Sequence, residues 1–98
     1  TVLSNQEVLK EVSRYFNIPQ EEILSKKRTK EIAYIRQIAM YLCREIVGDS
    51  LKEVGEFFGK RDHSTVVHAC DKIEAEMKKD IELQNTIVDL TKNIKHSG

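Results

Sequence analysis

Gly59-Lys60-Arg61-Asp62-His63-Ser64-Thr65-Val66-Val67-His68-Ala69-Cys70-Asp71-Lys72-Ile73 is the stretch that decides the fold. A short glycine-led turn precedes Asp62, a good N-cap, and predicts a helix over about residues 63–79. At about 100° per residue, Val66, Cys70, Ile73 and Met77 fall in one narrow sector. Ser64, His68, Asp71 and Ala75 lie opposite, with Thr65 and Lys72 at the flank. The back of this helix can pack, while its front offers short polar side chains and a basic rim. A recognition helix needs that division, because only small hydrogen-bonding side chains at its start can approach base edges closely.

Working outward, Ser50 with Glu53 forms a capping box for a short helix carrying Leu51, Val54, Phe57 and Phe58. Gly59 is its natural left-handed stop. The two helices and their turn fit a helix-turn-helix unit. Further upstream, Ser4 with Glu7 starts a helix of about residues 5–16, its apolar face Val8, Leu9, Val12, Tyr15 and Phe16. Asn17-Ile18-Pro19 breaks it, and Pro19 suits the first turn of a short second helix ending at Ile23 or Leu24. Ser25 to Arg28 is a basic loop. A long helix follows over about residues 30–47, with Ile32, Ile35, Ile38, Ala39, Leu42, Cys43 and Ile46 as its stripe and Gly48 as its end. Beyond Lys78-Lys79-Asp80, the residues Ile81, Ile87, Val88, Leu90 and Ile94 predict a closing helix. The expectation is an all-α domain of about six helices around a central helix-turn-helix. It spans residues 1–98 as one unit, and the start at Thr1 rather than Met reads as a piece of a longer protein.

Composition narrows the function classes. A chain of 98 residues has room for one modest core. The formal net charge is zero, but residues 25–47 hold Lys26, Lys27, Arg28, Lys30, Arg36 and Arg44 against only Glu31 and Glu45. That is a basic patch within a neutral whole. Cys43 and Cys70 lie far apart in apolar helices without metal-ligand spacing, which favours core packing and a cytoplasmic setting. His63 and His68 are five apart, a poor spacing for one metal on one helix face, so no metal is expected. No signal peptide is visible, and no apolar run approaches the roughly 18 residues of a membrane span. No Walker loop, nucleophile elbow or metal cluster is present, so neither catalysis nor a cofactor is expected in this chain.

The run from Gly59 to Ile73 also resembles the signature of the DnaA family of bacterial chromosomal replication initiators. A second segment, Arg36-Gln37-Ile38-Ala39-Met40-Tyr41-Leu42, is similar to that family's helix with an Arg-Gln-hydrophobic-Ala-Met pattern, and the Ser25-Lys26-Lys27-Arg28 loop also matches. The resemblance covers essentially the whole chain. It implies the TrpR-like C-terminal domain (domain IV), which binds double-stranded DNA at the nine-base-pair DnaA box, of the TTATNCACA type, at replication origins. The family's ATPase module would lie elsewhere in the parent protein. A monomeric isolated domain, acting in the cytoplasm on the nucleoid and docking replication-regulator proteins, is the implied setting.

The resemblance implies roles by position. Arg28 matches the loop arginine that enters the minor groove, where a narrow A·T-rich groove attracts a guanidinium. Asp62, His63, Ser64 and Thr65 match the major-groove readers; an aspartate accepts from an exocyclic amine, and a histidine packs on a thymine methyl. Arg36, Gln37, Arg44, Leu51, Lys52, Arg61, Thr65, His68 and Lys72 stand at positions suited to phosphate contacts, some through backbone N–H. There are departures. Ser64 stands where threonine is common, Lys60 where glycine is frequent and adds a cation, and Ile35 and Lys52 where proline is often seen. Plainer readings stand beside these: Asp62 as a cap alone, the histidines as solvated surface, and Arg28 in a solubilising loop. A helix-turn-helix transcription regulator of another site, or a helical docking module for a replication regulator, are the alternative functions.

Overall fold

The computed structural model describes residues 3–96. Local capping starts the helices where the sequence places them. The Ser4 hydroxyl accepts from the Glu7 N–H and opens α1 (Asn5–Phe16). Asn17, with φ 56°, ends it in the left-handed region that asparagine tolerates. Pro19 is the N-cap of α2 (Gln20–Leu24), and the Thr29 hydroxyl caps α3 (Lys30–Leu42) through the Ile32 N–H.

The predicted long helix reaches its expected end, but its last turn is not α-helical. Cys43–Val47 form a π-helical turn closed by Gly48 N–H donating to the Cys43 carbonyl at 3.1 Å. Gly48 has φ 82° and stops the segment as expected. The Ser50–Glu53 capping box is complete and opens α4 (Leu51–Phe57). After the turn come α5 (His63–Met77) and α6 (Ile81–His96). The six helices form an all-α fold with the helix-turn-helix α4–α5 at its centre.

One core cluster joins every element. Val8, Leu9 and Val12 of α1, Ile35, Ile38, Ala39 and Leu42 of α3, and Leu83, Ile87, Leu90 and Ile94 of α6 are buried in it. α3 packs most extensively on α5, whose buried residues are Val66, Ala69 and Ile73. Here the wheel shifts from the expected stripe: Ala69 is buried, and Cys70 and Met77 are only partly buried. Burial pushes the thiols of Cys43 and Cys70 up, the former strongly, so both behave as apolar packing groups.

Candidate nucleic-acid interface

The α4–α5 turn is made by two successive left-handed residues, Gly59 with φ 90° and Lys60 with φ 61°. A side chain at φ 61° is strained, by about 1–2 kcal/mol for an L-residue, which explains why glycine suits position 60. The turn is clasped to α4 by Arg61 N–H, which donates to the Gly55 carbonyl at 2.8 Å. That approach is so close that a Cβ on Gly55 would lie 2.2 Å from the Arg61 carbonyl oxygen. Gly55 is therefore what allows α5 to leave α4 at this angle, and sequence reading passed over it. The only sign was a glycine inside an otherwise regular helix, at Val54-Gly55-Glu56.

The helix start is organised by one carboxylate oxygen. Asp62 Oδ1 accepts from the Thr65 N–H at 2.9 Å, the Thr65 hydroxyl at 2.9 Å and the Ser64 hydroxyl at 3.2 Å. The Thr65 N–H foremost, then the two hydroxyls, hold the Asp62 carboxyl below the usual carboxylate range. It is fully ionised near neutrality. Since both hydroxyl protons point at Asp62, Ser64 and Thr65 present oxygen lone pairs outward. Asp62, His63, Ser64 and Thr65 are all exposed. The tip of α5 is thus a cluster of acceptors, with Oδ2 outside these three bonds.

Cations line two clefts, the first of which includes Asp62 and Ser64 of that cluster. One is lined by Lys52, Lys60, Arg61, Asp62, His63 and Ser64 together with Glu56. The other brings Arg28 and Lys72 together with Lys30, Glu31, Ala33 and Tyr34. Lys30 belongs to this second cleft although sequence reading assigned it only to the basic patch. Among the described residues, the two ion pairs are Arg14–Glu11 and Lys27–Glu22. Arg28, Lys52, Lys60 and Lys72 have no carboxylate within ion-pair range among the described residues.

The remaining candidates are placed differently. Arg36 is only 6% exposed, its Nε donating to the Ile23 carbonyl at 2.7 Å and Nη2 to the Glu22 carbonyl at 3.5 Å. Arg61 is partly buried, with Nε donating to the Phe58 carbonyl at 2.8 Å and Nη2 to the Ser25 carbonyl at 2.7 Å. Both guanidinium groups are turned inward, which residue type and spacing did not reveal. Arg44 is also partly buried and donates to the Asp49 carbonyl at 2.7 Å. It lies in neither basic cleft. Gln37 is half-buried, and its Oε1 has no hydrogen-bond partner among the described residues. Leu51 begins α4, where its N–H has no intrahelical acceptor, and His68 is exposed on α5. Among the described residues no three His, Cys, Asp or Glu side chains gather as a metal site, and no helix is long and apolar enough to cross a membrane.

Comparison with known proteins bears on this geometry. The family described as bacterial dnaA protein helix-turn-helix matches residues 5–73. The chromosomal replication initiator protein DnaA of Limosilactobacillus reuteri is 54% identical over 83 residues, covering 85% of this chain and 19% of that protein. Its counterpart in Lachnoclostridium phytofermentans is 49% identical over 87 residues, covering 89% of this chain and again 19% of the relative. This chain thus spans 19% of the length of these relatives. A crystal structure of a DNA replication initiation factor superposes with a TM-score of 0.80 at 34% identity, covering 92% of this chain and 28% of that one.

Proposed function

The chain belongs to the bacterial DnaA family, through its helix-turn-helix, and from that premise we propose that it reads double-stranded DNA at DnaA-box elements of the TTATNCACA type. The start of α5 enters the major groove, and Arg28 enters the adjacent minor groove. The observation that carries this reading is the acceptor cluster at Asp62, Ser64 and Thr65, flanked by cations that lack carboxylate partners among the described residues.

A cluster of acceptors repels phosphate, so it has little use at the DNA backbone. At base edges it complements the exocyclic amines of adenine and cytosine, which are the major-groove donors. Both amines occur in the CACA portion of the element. His63 packs on a thymine methyl, and Arg28 reads the A·T-rich portion through its narrow minor groove. Lys52, Lys60, His68 and Lys72 neutralise phosphates around the tip, with Gln37, Arg44 and the Leu51 N–H as further phosphate contacts, while Thr65, whose N–H and hydroxyl donate to Asp62, belongs with the base readers. Arg36 and Arg61 reach phosphate only with the donors left over from their carbonyl bonds. Within the parent protein this domain delivers the initiator to the origin in the cytoplasm, where replication regulators dock on it. The domain itself acts as a monomer, and the ATPase module lies outside it.

The test is binding at one fixed salt concentration to the box, single-base variants and scrambled DNA. Asp62→Asn keeps the cap but removes charge, and His63→Ala removes the apolar contact. Each should cost about 1–3 kcal/mol of box discrimination while far-ultraviolet helicity stays unchanged. Lys72→Ala should weaken all sequences alike and make the salt dependence shallower by about one unit of slope. If both tip variants keep the full ratio of box to scrambled affinity, α5 does not read sequence.

A further inference from the structure

α2 is five residues long, so its last carbonyl groups find no partner within the helix. The Glu22 carbonyl is met locally by the Ser25 N–H and hydroxyl, whereas the Ile23 and Ser25 carbonyls are satisfied from farther along the chain. Arg36 donates to the Glu22 and Ile23 carbonyls, and Arg61 donates to the Ser25 carbonyl 36 residues away. Between them, the Gly59 Cα lies so near that an added Cβ would meet the Leu24 carbonyl oxygen at 3.4 Å. Four consecutive carbonyl groups, from Glu22 to Ser25, thus face α3 and the helix-turn-helix turn.

The Arg61 fork is the joint. Its Nε holds the Phe58 carbonyl at the end of α4 while its Nη2 holds Ser25. Ser25 lies three residues before Arg28, and Arg61 immediately precedes Asp62. One rigid plane therefore connects the arm carrying Arg28 to the first turn of α5. An ammonium group could not hold both carbonyls in fixed register, because it lacks the planar fork. The arrangement is also electrostatically unfavourable: burial and then the neighbouring Arg28 charge lower the pKa of Arg61, and burial and then Arg61 do the same to Arg36. A neutral amide would cap α2 without bringing these charges together.

We propose that Arg61, supported by Arg36, is a positioning residue that fixes the distance between the Arg28 arm and the tip of α5, and so sets the spacing between the two parts of the DNA element that the protein accepts. The inference rests on Arg28 and Asp62 facing bases, as argued above. One added base pair moves the next contact by about 3.4 Å and turns it by roughly a tenth of a helical turn. A latched arm and tip cannot follow that displacement together. An unlatched arm can.

The experiment compares the box, the box with one base pair inserted between its A·T-rich and CACA portions, and scrambled DNA, using fluorescence anisotropy. The wild-type chain should lose about 30-fold affinity on the insertion. Arg61→Lys, which keeps the charge, should lose less than about 5-fold relative to its own affinity for the intact box. Adding Arg28→Ala to Arg61→Lys should cost less than it costs in the wild type, because the arm no longer acts in concert with the tip. A folded Arg61→Lys that retains the wild-type insertion penalty overturns the latch. Should Arg61→Lys lose helicity, Arg61→Gln relieves the buried charge and is read against its own intact-box affinity in the same way. Wild-type protein that does not distinguish box from scrambled DNA overturns the underlying DNA-reading assignment instead. A wild type that prefers the box but tolerates the insertion overturns the latch alone.

Discussion

Where α1 meets α6, the carboxylate of Glu11 accepts from Arg14 Nε at 2.9 Å and from Asn93 Nδ2 at 2.9 Å. Where the basic loop meets the helix-turn-helix, Arg36 and Arg61 find only backbone carbonyls, and Arg28, Lys52, Lys60 and Lys72 have no carboxylate in range among the described residues. The first region closes its charges within the fold. The second brings cations together and leaves their compensation to something outside it. Self-repulsion of that kind persists only where a ligand or a positioning requirement offsets its cost. The contrast lies in crowding: the first region sets a cation against a carboxylate, and the second sets Arg28, Arg36 and Arg61 close to one another.

The largest effect should come from Gly55→Ala, because the new methyl would stand 2.2 Å from the Arg61 carbonyl oxygen. Helix propensity favours alanine, so any loss comes from displacement of the turn. Denaturant melting should show about 3 kcal/mol of destabilisation, with box discrimination reduced as α5 moves. A variant as stable and selective as the wild type would show that the turn yields freely.

A smaller effect belongs to the α1–α6 region. Glu11→Ala should cost about 1–2 kcal/mol of stability and leave the ratio of box to scrambled affinity untouched. The Arg14 hydrogen bond, then Asn93 against the opposing burial, leaves the Glu11 pKa lowered. Its contribution is therefore present above the unfolded-state value near ~4.3 and disappears as pH falls through the folded value. Urea melts between neutral and acid pH should show a weaker acid dependence in the variant. A changed box ratio would mean that the two regions are coupled.

The smallest effect is expected at Lys60, the one position on the cationic face held at an unfavourable φ of 61°. Lys60→Gly should raise stability by about 0.5–1 kcal/mol, the relief of left-handed strain exceeding the added freedom of the unfolded chain. The same change should weaken DNA of any sequence slightly. Equal affinity at low salt would remove Lys60 from the phosphate contacts.

Much of the fold was legible because helix limits are set by neighbours in sequence. Ser4, Ser50 and Asp62 cap through N–H groups three residues on, and Gly48 and Gly59 end segments through their own φ. The side chains at the tip of α5 were legible for the same reason, since Asp62, His63, Ser64 and Thr65 occupy one helical turn. The buried stripe was less so. Periodicity placed it within one residue, but whether Ala69 or Cys70 is the more buried depends on where the neighbouring helices lie.

By itself, the order of residues determined six helices, their caps, the helix-turn-helix, and which short polar groups stand at the start of α5. Those features follow from interactions over three or four positions. Tertiary structure alone decided that Arg36 and Arg61 turn inward, that Gly55 must lack a side chain, and that Lys30 joins Arg28 and Lys72 in one cleft. The physical reason is the partner's location. Arg36 and Arg61 bond to carbonyl oxygens 13 and 36 residues away, and a guanidinium looks the same in sequence whether it meets a carbonyl, a carboxylate or water. Only the path of the chain determines which of these lies within reach.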